Sequence, residues 1–148
     1  MTLEERIVQI MEANGVAFEQ AEHEPVYTNP AMAEALGVSE GQTVKSLVLA
    51  TKEGDMIVMV LSGNRRVDWK RAAAAAGTKK VSFAKPEAVK ETVGCEVGCV
   101  PPFGHGLRVY MERELAEKEQ VYFNPGVHHK SLKIAGRDLK ALCHPIFV

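Results

Sequence analysis

The sequence predicts an α+β fold, a mixed and largely antiparallel sheet flanked by helices, and three observations carry that expectation. Segments with helical apolar spacing alternate along the chain with short β-rich runs. Several neighbouring β-rich runs are joined by turns too short for parallel crossovers. The 148 residues suit one domain, residues 1–148, large enough to bury its apolar surface without disulfide or metal staples.

The elements follow in order. Thr2 and Glu5 have capping-box spacing, and Leu3, Ile7, Ile10 and Met11 share one helical face. Asn14-Gly15 stops that helix, and Val16 to Gln20 alternates like a strand. Glu22 to Thr28, with Pro25, reads as an extended loop. A second helix has Asn29 as its cap, Pro30 at its first position and Gly37 at its end. Val44 to Ala50 and Met56 to Leu61 predict an antiparallel hairpin across Thr-Lys-Glu-Gly-Asp. Asp68 caps a third helix through the alanine run Ala72 to Ala76, ended by Gly77. Val81 to Phe83 is a short strand, and Pro86 opens a fourth helix that ends near Gly94. Further strands are expected at Leu107 to Met111, Val121 to Phe123 and Ser131 to Ala135, with a short helix over Asp138 to Leu142. No internal repeat or low-complexity linker interrupts this pattern.

A net charge of −1 argues against a protein that coats DNA or RNA by bulk phosphate neutralisation, while leaving room for a local basic patch. The acidic N-terminus lacks a signal-peptide core, and no run of 18 apolar residues is present, so the expectation is a cytoplasmic protein without a membrane partner. Three cysteines, Cys95, Cys99 and Cys143, suit reduced thiols.

Four places can hold chemistry. Alternation puts Lys45, Leu47 and Leu49 on one face of their strand and Val44, Ser46 and Val48 on the other. A lysine at the start of such a strand either snorkels to solvent or enters a pocket, where its ammonium binds phosphate or a developing oxyanion. The segment Gly94 to Gly106, GCEVGCVPPFGHG, is either a structural turn or a rigid loop presenting main-chain N–H groups to an anion; it lacks P-loop spacing. Cys95, Cys99 and His105 lack the second cysteine pair of a common zinc site, so free thiols and no metal are expected. In Phe123 to Ser131, FNPGVHHKS, the turn is followed by two histidines that are either loop surface or, for His129, a polar wall; His23 has the same two readings. No serine sits in a nucleophile elbow, and no Ser-His-Asp triad assembles. Basic residues at Arg65-Arg66, Lys70-Arg71, Lys79-Lys80 and Lys133, beyond His128-His129-Lys130, are either solvated surface or a weak RNA-backbone contact.

Taken together, several motifs resemble the YbaK/ProX-type aminoacyl-tRNA deacylases, stand-alone relatives of the editing domain inserted in bacterial prolyl-tRNA synthetases. The resemblance spans nearly the whole chain. It is carried by Glu22-His23-Glu24-Pro25-Val26-Tyr27-Thr28, by Val44-Lys45-Ser46-Leu47-Val48, by Thr92 through Gly104, and by Phe123-Asn124-Pro125-Gly126 leading to Asp138-Leu139. The cysteine-glycine and Phe-Asn-x-Gly pieces look nearest to a branch acting on Ser- and Thr-charged tRNA. The Glu-His-x-Pro-Val-x-Thr piece looks nearer to branches acting on Ala- or Cys-tRNA(Pro).

That resemblance implies a barrel-like sheet and hydrolysis of the ester of mischarged aminoacyl-tRNA bearing Ala, Cys, Ser or Thr. It implies Lys45 and Gly98 as the catalytic pair, with His23, Thr28, Ser46, Cys99, Pro101, Asn124, Gly126, His129 and Ser131 holding substrate. No cofactor is expected. The partner is aminoacyl-tRNA, together with an aminoacyl-tRNA synthetase or elongation factor, and not DNA. A non-catalytic module of the same fold that binds tRNA ends or a synthetase is the alternative, followed by a small-molecule esterase and a metal-binding regulator.

Overall fold

The computed structural model describes residues 1–148. Helix α1, Leu3–Ala13, opens with the expected capping box between Thr2 and Glu5 and buries Ile7 and Met11. Strand β1, Glu19–Glu22, starts three residues later than the alternation predicts. Its pairing with a distant strand, and not local pattern, sets its limits, and its side chains are mostly exposed. Helix α2, Asn29–Leu36, is capped by Thr28, whose Oγ1 accepts from the Ala31 amide at 3.2 Å. The expected cap, Asn29, instead lies in the first turn and donates from Nδ2 to the Val44 carbonyl and to Thr43 Oγ1.

The central hairpin is β2, Val44–Thr51, and β3, Met56–Ser62. Helix α3, Trp69–Ala76, has the expected Asp68 cap and Gly77 stop. Strand β4, Val81–Phe83, and helix α4, Pro86–Val93, match the sequence reading. Next come β5, Arg108–Met111; α5, Arg113–Glu117; β6, Val121–Phe123; β7, Lys130–Ile134; α6, Gly136–Cys143; and β8, Ile146–Phe147. Neither α5 nor β8 has a local signal in the sequence. One is a single turn and the other two residues paired in parallel with β5, both too short for periodicity to register.

The strands form two sheets and the barrel-like closure does not occur. One sheet runs β1-β7-β6, all antiparallel; the other runs β4-β2-β3-β5-β8, with β3-β5 and β5-β8 parallel. A single parallel bridge between Thr43 and Tyr122 links them, too little pairing to close a cylinder.

Alternation along β2 and β3 divides the interior. Val44, Val48, Val58 and Val60 enter a 23-residue core with α1, α4, α6, β6 and β7. Leu49, Ile57, Met59 and Leu61 enter an eight-residue core against Ala72 and Ala73 of α3. The small alanines let α3 lie close on the sheet. Because both faces of β2 are covered, polar residues on it are placed at its ends, where the site forms. No helix is long and apolar enough to cross a membrane.

Candidate active site

A cavity of about 450 Å³ opens beside the first half of β2, inside the range of small-molecule clefts, about 300 to 1,000 Å³. Its position follows from sheet pairing. Strand β4 pairs with β2 only from Leu49 to Thr51, and the Ala84 amide donates to the Val48 carbonyl at 3.0 Å. No strand covers Val44–Leu47 on that edge, and the cavity fills the space where one would lie. In an antiparallel strand the main-chain groups of residues i and i+2 point the same way, so those of Ser46 face the edge that Val48 presents to β4.

The cavity brings together Lys45, Gly98, Thr28, Ser46 and Asn124, five of the residues singled out from sequence. Lys45 is half-buried, and its Nζ donates to the Arg65 carbonyl at 2.9 Å, which fixes the ammonium at the rim. The Arg65 guanidinium is itself held by Glu114 at 3.0 Å. Asn124 donates from Nδ2 to the Lys130 carbonyl at 3.1 Å, leaving its amide oxygen as an acceptor. Ser46 adds a hydroxyl from a nearly buried position. Tyr27, Arg66, Trp69, Phe83 and Val97 complete much of the wall, although the sequence reading did not select them for it. Tyr27 stood within a quoted motif; Trp69 and Phe83 carried no signal, because only the fold brings the start of α3 against the end of β4. The cavity wall has two cations, Lys45 and Arg66, and no carboxylate or imidazole.

Gly98, which also lines the cavity, sits in a short 3-10 turn, Val97–Cys99. A Cβ there would lie 3.3 Å from the Tyr27 carbonyl and 3.4 Å from His128 Cε1, so glycine permits this close approach. The loop around it is held from several sides. Arg6 donates to the Gly104 carbonyl at 3.2 Å, and the Cys143 thiol to the Pro102 carbonyl at 3.3 Å. His105 Nδ1 accepts from the Leu107 amide at 3.1 Å while Nε2–H donates to the Pro102 carbonyl at 3.2 Å. Burial holds the His105 pKa below its ordinary value, against the opposing Pro102 hydrogen bond.

The remaining predicted positions lie elsewhere. Ser131 is buried, and its hydroxyl meets His23 Nε2 at 2.7 Å. His23 Nδ1 faces the Glu24 carbonyl at 2.8 Å, so Nδ1 carries the proton and Nε2 accepts from Ser131. This pair secures the segment that leads to Tyr27 and Thr28. His129 is exposed, and only its carbonyl is engaged, by the His23 amide. Its neighbour His128 turns inward instead: its ring lies 4.4 Å from that of Tyr27, and Nδ1–H donates to the Val26 carbonyl at 3.0 Å. Its buried Nε2 has no hydrogen-bond partner, with Glu96 Oε1 3.5 Å away. Gly126 has φ +93° and packs on Leu3 of α1, outside the cavity. Pro101 is buried behind the loop.

Cys99 is buried beside Gly98, and its thiol donates to the Glu96 carbonyl at 3.5 Å. The neighbouring Cys95 thiol, helped by His128 and opposed by burial, brings the Cys99 thiol down to about 7. Cys95 is pushed up, first by Cys99 and then by burial. All three cysteines are free, and no cluster of His, Cys, Asp and Glu side chains is arranged to hold a metal.

Residues 23–142 match the aminoacyl-tRNA editing domain family. The multifunctional Ser/Thr-tRNA deacylase ProXp-y of Escherichia coli (strain K12) is 27% identical over 150 residues, covering 97% of this chain and 90% of that protein. EbsC of Enterococcus faecalis, provisionally named a Cys-tRNA(Pro)/Cys-tRNA(Cys) deacylase, is 33% identical over 91 residues, 62% of this chain and 54% of its own. The crystal structure of a protein provisionally assigned as a trans-editing enzyme for prolyl tRNA synthetase superposes with a TM-score of 0.87 at 28% identity, covering 100% of this chain and 96% of that one. The family match takes in every residue that lines the cavity, and the chain belongs to the aminoacyl-tRNA editing domain family.

Proposed function

We propose that this protein hydrolyses the ester bond of mischarged aminoacyl-tRNA carrying a small amino acid, Ala, Cys, Ser or Thr. The observation that carries this reading is the cavity between Lys45 and Gly98, which is cationic and contains no general base. An amide or phosphodiester needs more activation than such a wall offers. An aminoacyl ester is already reactive, and what it needs is orientation and stabilisation of the oxyanion.

In this reading water adds to the ester carbonyl carbon and the carbon–oxygen bond to the terminal ribose breaks. The amino acid leaves as a carboxylic acid, and the departing ribose oxygen takes up a proton to become a free hydroxyl. Lys45 acts as a hydrogen-bond donor, as its Nζ already does toward the Arg65 carbonyl. It holds the ribose end or the developing oxyanion and does not abstract a proton. The Gly98 main chain and the uncovered Ser46 edge orient the ester. With no base on the wall, the attacking water loses its proton to solvent or to the substrate's own amine.

The pocket acts as a sieve on size. The Ser46 hydroxyl and the Asn124 amide oxygen give a small hydroxyl or thiol side chain a partner, which supports Ser and Thr beside Ala and Cys. The E. coli relative named for Ser/Thr-tRNA supports the same class. An aminoacyl-tRNA synthetase or elongation factor is proposed as the source of the charged tRNA.

The test is a deacylation panel of Ala-, Cys-, Ser- and Thr-charged tRNAs, with a Phe-charged tRNA as the oversized control. Release of one or more of the small amino acids and none of the large one is expected. Tight tRNA binding with no release across the panel would overturn the reading in favour of a non-catalytic tRNA-end module.

A further inference from the structure

Trp69 and Phe83 stand between the cavity and a second hollow of about 610 Å³ lined by Lys70, Lys79 and Lys80. Val81 and Phe83 share a face of β4. The alanines of α3 cover Val81, but α3 begins at Trp69, so Phe83 meets the indole at the start of the helix. The two rings meet edge to face, centroids 5.0 Å apart, and remain 40% and 61% exposed. Large aromatics left this open at the mouth of a cavity offer faces for stacking.

The hollow beyond them is positively charged. Lys70, Lys79 and Lys80 are exposed, and none takes part in an ion pair; the chain's ion pairs involve Arg65, His128, Lys130 and Lys133. No carboxylate lines the hollow. Glu53 reaches its edge through a 2.7 Å hydrogen bond from the Thr78 hydroxyl. Aromatic faces beside a row of unpaired lysines match the two parts of a single-stranded nucleic acid, stacking bases and repeating phosphates. A double helix hides its base faces and gains nothing from the exposed rings.

We propose that the Trp69–Phe83 ridge and the Lys70, Lys79 and Lys80 hollow bind the unpaired nucleotides at the 3′ end of the RNA whose terminal ester occupies the cavity. This rests on the deacylase reading for the identity of the RNA, but its binding test does not depend on hydrolysis. One base stacks on the ridge while the adjoining phosphates lie along the lysines. The chain then leaves the cavity over β4 and α3, away from the Arg65–Glu114 pair.

Trp69 is the only tryptophan in the chain, so its fluorescence reports the ridge alone. Titration with an uncharged single-stranded RNA of a few nucleotides should quench it, and the same sequence locked in a duplex should not. Polyphosphate, which has the charge but no bases, should leave the emission unchanged. The Lys79→Ser, Lys80→Ser double variant and, separately, Phe83→Ser should each weaken the single-strand affinity ~10-fold or more, the scale of one lost base stack or two phosphate contacts. Both changes lie on exposed side chains, and unaltered circular dichroism would establish that the variants fold. No quenching by single-stranded RNA would overturn the proposal, as would equal quenching by polyphosphate or parental affinity in both variants. A surface built for a protein partner gives the first of these results. Quenching in a protein that releases no amino acid would sink the deacylase reading and keep this one; hydrolysis without quenching would do the reverse.

Discussion

Lys45 Nζ donates to the Arg65 main-chain carbonyl across 2.9 Å, and the Arg65 side chain is tied in turn to Glu114. The ammonium is therefore set in place before substrate arrives, and its charge is directed to one wall of the cavity. Lys45→Met keeps the apolar stem and removes the charge. If the ammonium stabilises charge in the transition state, kcat for deacylation falls about 100-fold, the scale of one lost oxyanion donor, with little change in Tm. A rise in KM alone would reassign Lys45 to holding the tRNA end. Parental values of both would remove it from the mechanism.

Gly98 tests space in the same cavity. Its backbone is not in the left-handed region, so an added side chain meets neighbours and not torsional strain. The Cβ of Gly98→Ala would press on the Tyr27 carbonyl and on His128 at 3.3 and 3.4 Å, which a shift of a few tenths of an ångström relieves. That shift moves the loop that faces the ester. Deacylation kcat/KM should fall ~10-fold, since misplacement of the reacting groups is costly, while the denaturation midpoint stays close to parental. Gly98→Val adds bulk that no small shift accommodates, and its activity should fall further. Equal activity in all three proteins would show that the loop does not position the substrate.

These two residues mark what the sequence made legible. Helix caps and stops such as Asp68 and Gly77 act within one turn, so they were readable. The hairpin of β2 and β3 was also local. Long-range pairing was not. The edges of β1 depend on β7, and β8 exists because β5 offers a parallel edge. The barrel was expected from resemblance alone, and sheet pairing corrects it to two open sheets. At the site, Lys45 and Ser46 of β2 converge with Thr28, Gly98 and Asn124 from distant parts of the sequence. His128 and His129 were adjacent and equivalent by composition; only the path of the turn sends His128 inward. Trp69 and Phe83 meet by tertiary packing, which no spacing rule encodes.

The thiol pair behind Gly98 has a measurable signature. The neighbouring Cys95 thiol brings Cys99 down to about 7 from an ordinary 9.0. Thiolate absorbance followed against pH should show an early step near 7. In Cys95→Ala that neighbour is lost and the step should move up, toward the ordinary value. A step unmoved by the substitution would mean that His128 sets the Cys99 titration instead. Because both thiols lie outside the cavity wall, the Cys95→Ser, Cys99→Ser protein should retain deacylation.

Ser131 and His23 join the two ends of a segment that leads into the site. Ser131→Ala removes the donor to His23 Nε2. The imidazole is only partly buried, so water replaces part of the lost bond. The expected destabilisation is about 1 kcal/mol, the lower end of the cost of an unsatisfied buried group, read from urea unfolding. Activity should fall as well, because β1 and the following loop carry Tyr27 and Thr28 to the cavity. An unchanged midpoint would mean the hydrogen bond exchanges freely with solvent.

The His105 ring links pH to the stability of the glycine-proline loop. In the folded protein Nδ1 accepts from the Leu107 amide and Nε2–H donates to the Pro102 carbonyl, which fixes a neutral tautomer. Protonation puts a hydrogen on Nδ1 against the Leu107 N–H, and burial further disfavours the charge. The folded pKa therefore lies below the ordinary 6.5. The unfolded chain takes up the proton first as pH falls, so this contribution to stability is full above about 6.5 and declines as pH drops toward the folded value. Urea midpoints measured from pH 7.5 to pH 5 should fall. His105→Asn offers an amide oxygen to the Leu107 N–H and cannot titrate there. Its midpoint should start lower, having lost the Pro102 bond, and fall less steeply over the same range. If parent and variant lose stability in parallel, other groups, and not His105, govern the acid response.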